Sequence, residues 1–402
     1  MGYSKTLINV VWELTLRCNA HCIHCGSSAG IDRKDNLADY EIMRICEELA
    51  KLKCKMVALI GGEVFLHHLW KEIVKKLRSS GIDVQIITNA LSLDQDKINF
   101  LSEQKIETLG VSLDGSNSTI HDGIRSVPGA FKHIMSLSEN INKNLLPTIA
   151  ITTVTQKNIL DLPNLMELVS NSFFCSWQIQ IGQPFGRLEE NMVLSELEFY
   201  IVGIFIALMQ KRYKGKFAIL GMHDLGYYSK VIPNSVNVYN KNWHGCPAGK
   251  HVLGIRSNGK VVGCLSIYDD NYLEGDLRER SLEEIWNSED FCAWNKPYNK
   301  YKKLQGDCKD CEYSLACCAG CCSSAISQTG NEFSLRQCFH NIEKKYQNYD
   351  GSDVMSNLLK ELVNGQILDN GYFKLKNGTI LNKDTKFTVN DTYYQKLLNV
   401  LM

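Results

Sequence analysis

Cysteine spacing constrains this chain more than any other feature. Sixteen cysteines occur in 402 residues, most of them in two blocks. The first, CNAHCIHC, places Cys18, Cys22 and Cys25 within eight residues. The second runs from Cys246 through Cys264 to a dense stretch holding Cys308, Cys311, Cys317, Cys318, Cys321, Cys322 and Cys338. The opening Met1-Gly2-Tyr3-Ser4-Lys5 leads into an apolar strand-like segment without a long h-region and small-residue cleavage site. Clustered cysteines without an export signal point to metal rather than to a disulfide framework. Cys46, Cys54 and Cys175 stand apart and read as small buried hydrophobes. MGYSKT fits a myristoylation pattern only loosely and is read as chance.

Between Ile8 and Gln183, short runs rich in Val, Ile and Thr alternate with amphipathic stretches. The pattern predicts strands at Ile8–Leu16, Met56–Ile60, Val84–Thr88, Leu109–Leu113, Thr148–Val154 and Gln178–Ile181. Helices are predicted near Asp39–Leu52, Leu69–Ser80, Asp94–Glu103, Gly129–Asn142 and Asp161–Ser170. Six βα repeats imply a parallel sheet, curled by right-handed crossovers into a partial (β/α)6 TIM-like barrel. Polar sequences then fall at the carboxyl ends of its strands. Arg17–Cys25 follows the first strand, Gly61-Gly62-Glu63 the second, Thr88-Asn89 the third, SLDG (Ser112 to Gly115) the fourth and GQPFGR (Gly182 to Arg187) the sixth. That end of a barrel holds the active site, so these loops are expected to converge.

Downstream, a helix is predicted over Ser195–Lys211, then mixed signals around Gly221–Asn240. SNGKVVGCLSIYDD reads as a hairpin turning at Asn258-Gly259. The tail alternates a helix (Val354–Val363), hairpin-like FKLKNGTIL and a final helix (Asp391–Leu401). The expected division is a barrel at 1–190, a bridge at 191–245, a Cys-rich domain at 246–345 and a tail at 346–402. The 44 basic and 44 acidic side chains cancel, which gives no global field for nucleic acid or an anionic membrane. No run approaches 18 apolar residues. A cytoplasmic protein follows, with neither nucleic acid nor membrane as partner.

Three thiolates on one loop can hold three irons of a cubane and leave the fourth iron open. Zinc is the competing reading, with His21 or His24 as a fourth ligand. The C-x3-C-x2-C spacing after a first strand, with GGE after the second, resembles the radical S-adenosylmethionine superfamily. That resemblance implies a [4Fe–4S] cluster on Cys18, Cys22 and Cys25 with S-adenosylmethionine chelated to its open iron. It also implies that Gly61 and Gly62 let the backbone approach the methionine moiety and that Glu63 accepts from its ammonium. Thr88, Asn89, Ser112 and Asp114 would contact the cofactor. Arg125, in HDGIRSVPGAF, would pair with its carboxylate. His24 stands where relatives carry an aromatic residue against the adenine.

The second block, C-x12-G-x4-C followed by Cys308-x2-Cys311-x5-Cys317-x3-Cys321 and Cys338, closely resembles the seven-cysteine SPASM domain. With the barrel, the resemblance covers roughly Ile8 to His340. It implies two auxiliary [4Fe–4S] clusters, three in all. One would be held by Cys308, Cys311, Cys317 and Cys338, the other by Cys246, Cys264 and Cys321. The fourth position of the latter is open to three readings: an exchangeable iron, a ligand such as His244, or recruitment of Cys318, Cys322 or Cys292.

SPASM-type enzymes modify peptides, so the resemblance implies a maturase acting on a ribosomally made precursor peptide. A 5′-deoxyadenosyl radical would take a hydrogen atom, and a thioether or carbon–carbon cross-link would form as an auxiliary cluster accepts an electron. Formylglycine-type oxidation of one residue and epimerisation are the alternatives within the family, and a non-enzymatic zinc-stabilised binding protein is the alternative outside it. Implied partners are the peptide, an electron donor such as flavodoxin or ferredoxin, and a separate leader-binding protein. About seven residues precede the first strand, so the tail Asp350–Met402 or the peptide core could also serve recognition. Thr152, Gln178, Gln180, Asp224 and Tyr227 are positional candidates for catalysis. GQPFGR resembles a P-x-G-R turn, which either positions substrate or turns the chain.

Overall fold

The structure, a computed structural model, describes residues 5–222, 224–237, 243–382 and 392–401. MGYS, part of the mixed region around Gly221–Asn240 and the Asp391 start of the last helix lie outside them. Seven parallel strands run in chain order: β1 (Asn9–Glu13), β2 (Met56–Ile60), β3 (Asp83–Thr88), β4 (Thr108–Ser112), β5 (Thr148–Val154), β6 (Ser176–Ile181) and β7 (Ala218–Gly221). The first six are the expected ones, and β7 emerges from the region of mixed signals. Each crossover before β6 carries helix: α1 (Asp39–Lys51), α2 (Trp70–Ser79), α3 (Gln95–Glu103), then α4 (Ser118–Arg125) with α5 (Ala130–Ser136), and α6 (Leu162–Ser170). The fold is an α/β partial barrel. α1 buries Ile42, Ile45, Cys46 and Leu49, an i, i+3, i+4, i+7 stripe that only a helix aligns on one face.

The Cys-rich segment is joined to the same sheet. β8 (Val252–Ile255) lies parallel to β1, pairing Asn9 with Val252 while Asn9 also pairs with Met56 of β2. β9 (Lys260–Val262) and β10 (Leu273–Asp276) then extend the sheet antiparallel. The expected turn is present, with Gly259 at φ +83°, a left-handed backbone that favours glycine.

α7 (Glu196–Arg212) follows the Ser195/Glu198 capping box, and every residue from Leu197 to Met209 is buried. A helix apolar all round needs cover on both sides. Trp177 meets Phe205 from the sheet, and Phe339 lies against Phe199 and Tyr200 from the other side. The tail completes the cover. Helix Thr392–Asn399 packs on α7, while Arg212 donates to the carbonyls of Gly371 (2.7 Å) and Leu401 (3.4 Å). Among the described residues no helix is long and apolar enough to cross a membrane.

Several local expectations are corrected. The helix predicted over Gly129–Asn142 ends as a 3-10 turn, Leu137–Glu139, and α4 forms from the HDGIR segment, where no helix was predicted. Cys46 and Cys54 are buried, but Cys175 is exposed just before β6, its thiol donating to the Thr148 carbonyl at 3.1 Å.

Candidate active site

The three first-block cysteines occupy the loop after β1, and four tethers shape it. Asp32 accepts from Thr15 Oγ1 (2.7 Å) and the Leu16 amide (3.0 Å). The Gly30 amide donates to the Leu16 carbonyl (2.8 Å). The Ile23 amide donates to the Ile124 carbonyl of α4 (3.0 Å). From GQPFGR, the Arg187 guanidinium donates to the Cys22 carbonyl (Nε, 2.8 Å) and the Ala29 carbonyl (Nη1, 2.8 Å), and its amide donates to the Cys25 carbonyl (3.0 Å). Gly186 takes φ +58°, and a Cβ there would come within 2.3 Å of the Cys25 carbonyl oxygen. The turn after β6 is thus a clasp on the cysteine loop.

Each sulfur of the loop accepts a nitrogen donor: Cys18 from Asn89 Nδ2 (3.7 Å), Cys22 from Arg125 Nη1 (3.6 Å) and Cys25 from the Ala29 amide (3.4 Å). Such donors suit thiolates bound to iron, since hydrogen bonds to the sulfurs help set a cluster's potential. Arg125 Nε is buried without a partner, a donor suited to a ligand carboxylate. These residues fit the expected cluster and cofactor. Among the described residues, no three His, Cys, Asp or Glu side chains converge as a single metal ion would require.

The glycines of GGE meet the chain itself. The Gly62 amide donates to the Thr15 carbonyl (2.7 Å) and the Glu63 amide to the Arg17 carbonyl (2.8 Å). A Cβ would come within 2.4 Å of the Thr15 oxygen at Gly61 and within 2.2 Å of the Arg17 oxygen at Gly62. Their smallness lets the β2 loop press against the start of the cysteine loop, a reason the sequence alone did not reveal. Gly62→Ala is expected to destabilise the protein by about 1–3 kcal/mol, as overpacking does, and to lower its urea midpoint. An unchanged midpoint would show that the two loops can separate freely.

Glu63 is buried, its carboxylate held by the Phe65 amide (3.2 Å), Thr88 Oγ1 (2.8 Å) and the Asn89 amide (2.9 Å). Burial raises its carboxyl above the usual range despite those donors. Asp114 is also buried. It meets His24 Nε2 (2.7 Å), Arg125 Nη2 (2.6 Å) and the Thr153 amide (2.9 Å). Burial alone would raise its carboxyl, but the Arg125 guanidinium and then His24 outweigh it and hold Asp114 well below the carboxylate range. Asn158, which drew no attention in the sequence, donates to the carbonyls of Asp114 and Thr153 (both 3.0 Å). Ser112 is buried at the end of β4.

The positional candidates divide. Gln178 and Gln180 share the partly exposed face of β6, where Gln180 Nε2 donates to Thr153 Oγ1 (2.8 Å). Thr152 lies on the opposite face, fully buried, donating to the Leu113 carbonyl (2.6 Å) and accepting from Trp177 Nε1 (2.8 Å). Asp224 accepts from the Ile181 amide (2.8 Å), and the Tyr227 hydroxyl accepts from the Cys321 amide (2.8 Å).

In the second block Cys308, Cys311, Cys317 and Cys338 line one pocket, as the first auxiliary set requires. Cys246 and Cys322 pack together, with Cys264 against them, and Cys321 neighbours Cys264 electrostatically. A hydrogen bond from Cys322, and then the Lys300 charge, bring the Cys246 thiol below its ordinary value. Tyr268 from this segment meets Phe185 of the clasp, ring centroids 5.9 Å apart. A cavity of about 1070 Å³ is lined by Gln156 and Pro184, from the segments after β5 and β6, and by Gln337 and Cys311 of the Cys-rich segment.

Residues 12–169 match the Radical SAM superfamily, and residues 246–312 match SPASM, an iron–sulfur cluster-binding domain. The AdoMet-dependent heme synthase of Methanosarcina barkeri (strain Fusaro / DSM 804) is 28% identical over 335 residues, 80% of this chain and 93% of that protein. Mycofactocin maturase MftC of Mycolicibacterium smegmatis is 25% identical over 321 residues, 78% of each. Streptococcus suis SuiB bound to precursor peptide SuiA superposes with a TM-score of 0.66 at 16% identity, over 83% of this chain and 75% of that one.

Proposed function

Since the chain belongs to the SPASM-containing radical S-adenosylmethionine family, we propose that it is a peptide maturase that installs a cross-link in a precursor peptide. Cys18, Cys22 and Cys25 would hold the barrel cluster. Bound there, cluster and cofactor supply reductive cleavage of the sulfonium to methionine and a 5′-deoxyadenosyl radical. The chain's own groups bind and aim the cofactor. A carboxylate offers about four acceptor positions, and Glu63 has three filled by protein donors, which leaves one for the methionine ammonium. Arg125 Nε, buried without a partner, would take the methionine carboxylate, with Asp114 holding that guanidinium and His24, which would lie against the adenine. Thr88 and Asn89 act through Glu63, and Ser112 lines the same strand ends.

The substrate class rests on one observation, the charge balance of the cavity wall. Glu190, Glu196 and Asp307 line it together with Arg336, Lys344 and Lys345 and the amide side chains of Gln156, Gln328, Gln337 and Asn341, and Lys345 pairs with Glu196 at 2.9 Å. Neutral amides suit peptide backbone, which both donates and accepts. A relative, SuiB, has been solved with a precursor peptide, which accords with this reading.

A second reading comes from the relatives named AdoMet-dependent heme synthase and Fe-coproporphyrin III synthase, names that point to a porphyrin, a macrocycle that carries carboxylates. A wall with three acids against three bases offers such a polyanion no net attraction. The two are separated by incubating reduced protein and S-adenosylmethionine with a panel of cysteine-containing peptides or with Fe-coproporphyrin III. Peptide-stimulated 5′-deoxyadenosine and a peptide lighter by the hydrogens removed are expected. Porphyrin-stimulated turnover with loss of carbon dioxide would overturn the peptide reading.

A further inference from the structure

Lys300 is the one lysine whose ammonium is fully buried among the described residues, in the short helix Pro297–Tyr301. Its Nζ donates to Cys322 Sγ at 3.1 Å. The largest charges acting on it are the thiols of Cys322, Cys246 and Cys318. Burying an ammonium costs several kcal/mol unless an anion compensates, and a neutral thiol is a weak acceptor. The site is therefore built for negative charge on sulfur.

Cys322 is itself fully buried. It packs with Cys246 and Ile267, with Cys264 against them, and its thiol also reaches Asn295 Oδ1 at 3.3 Å. Asn295 Nδ2 in turn donates to the carbonyls of Cys246 (3.0 Å) and Ala248 (2.8 Å), which fixes the Cys246 loop beside Cys322. The other candidates for a fourth ligand are engaged differently: His244 is exposed, Cys318 donates to the Leu315 carbonyl (3.5 Å), and Cys292, packed against Gly249 and Gly263, has its amide donating to the Glu274 carboxylate (2.9 Å).

We propose that Cys322 is the fourth thiolate ligand of the cluster held by Cys246, Cys264 and Cys321, and that Lys300 is that cluster's buried countercation. The proposal rests on the iron–sulfur reading of this segment. It closes the cluster, which removes an exchangeable iron as a substrate site and leaves electron transfer as the cluster's work. A cation this close also favours the reduced, more negative state.

The test uses the full chain with Cys18, Cys22 and Cys25 all replaced by Ala, so that only auxiliary clusters remain, reconstituted without oxygen. About eight irons per chain are expected, four for each cluster. A cubane with an open iron sheds it on mild oxidation and shows the paramagnetic [3Fe–4S] signal; a four-thiolate cubane resists. No such signal is expected in this background, and adding Cys322→Ala should create it. Lys300→Met keeps all four thiols and the side-chain length, so the iron content should hold while one auxiliary midpoint potential moves to more negative values. A [3Fe–4S] signal already present in the background and indifferent to Cys322→Ala would overturn the ligand assignment alone. An unmoved potential in Lys300→Met would overturn the countercation. A background chain without auxiliary iron would overturn this proposal and the iron–sulfur reading together.

Discussion

Asp114→Ala is expected to destabilise the protein by about 3–5 kcal/mol, the cost of breaking a buried ion pair by removing one partner. The substitution leaves Arg125 buried beside the Cys22 sulfur without its carboxylate and takes the Nε2 partner from His24. It also opens the Thr153 amide. Because Asp114 is held below its ordinary value, its contribution is present in full above the unfolded carboxylate value near 4 and is lost as pH falls through the lowered folded value. Denaturant melts at pH 7 and pH 3 therefore have a signature. The gap between the two proteins should be wide at pH 7 and narrower at pH 3. A gap that is small at pH 7, or independent of pH, would show that Arg125 and His24 do not depend on Asp114.

Arg187→Ala should disable the site while sparing the fold. Two charge-assisted bonds to the Cys22 and Ala29 carbonyls vanish, each worth about 1.5–3 kcal/mol in local order. The backbone bond from residue 187 to Cys25 survives, and the bonds lost lie on a loop at the barrel mouth rather than in the sheet core. The expected outcome is a circular dichroism melt close to that of the parent, with barrel-cluster iron reduced and 5′-deoxyadenosine formation down by about 100-fold, the equivalent of about 2.7 kcal/mol. Arg187→Lys should recover little, because a point charge cannot bridge two carbonyls as a planar fork does. Full activity in Arg187→Ala would mean that Asp32, the Gly30 bond and the Ile23 bond shape the loop without the guanidinium.

Much of this was legible in the residues. Strand periodicity marked six of the seven strands β1 to β7, and β7 escaped because Ala218–Gly221 alternates exposed and buried positions over only four residues. The helix α4 was hidden by its Gly123 and by a reading of HDGIR as a binding motif; Asn117 at its cap, accepting from the Ile120 amide, was the available signal. The convergence of GGE, TN, SLDG and GQPFGR followed from barrel topology. Which partner each group takes did not, because pairing is decided in three dimensions. Arg125 and Asp114 neutralise one another 2.6 Å apart, and the P-x-G-R turn grips the cysteine loop. Lys300 gave no sign at all. In PYNKYKK it looks like one of three solvated lysines, and only burial beside Cys322 distinguishes it.

The most direct test of the central claim is the 5′-deoxyadenosine formed when the anaerobically purified protein meets reductant and S-adenosylmethionine, set beside its iron and sulfide content. About twelve irons per chain are expected for three cubanes. Cofactor cleavage should disappear in the variant with Cys18, Cys22 and Cys25 replaced by Ala, while auxiliary iron stays. Zinc in place of iron, or a fully iron-loaded protein that cleaves no cofactor with any reductant, would contradict it.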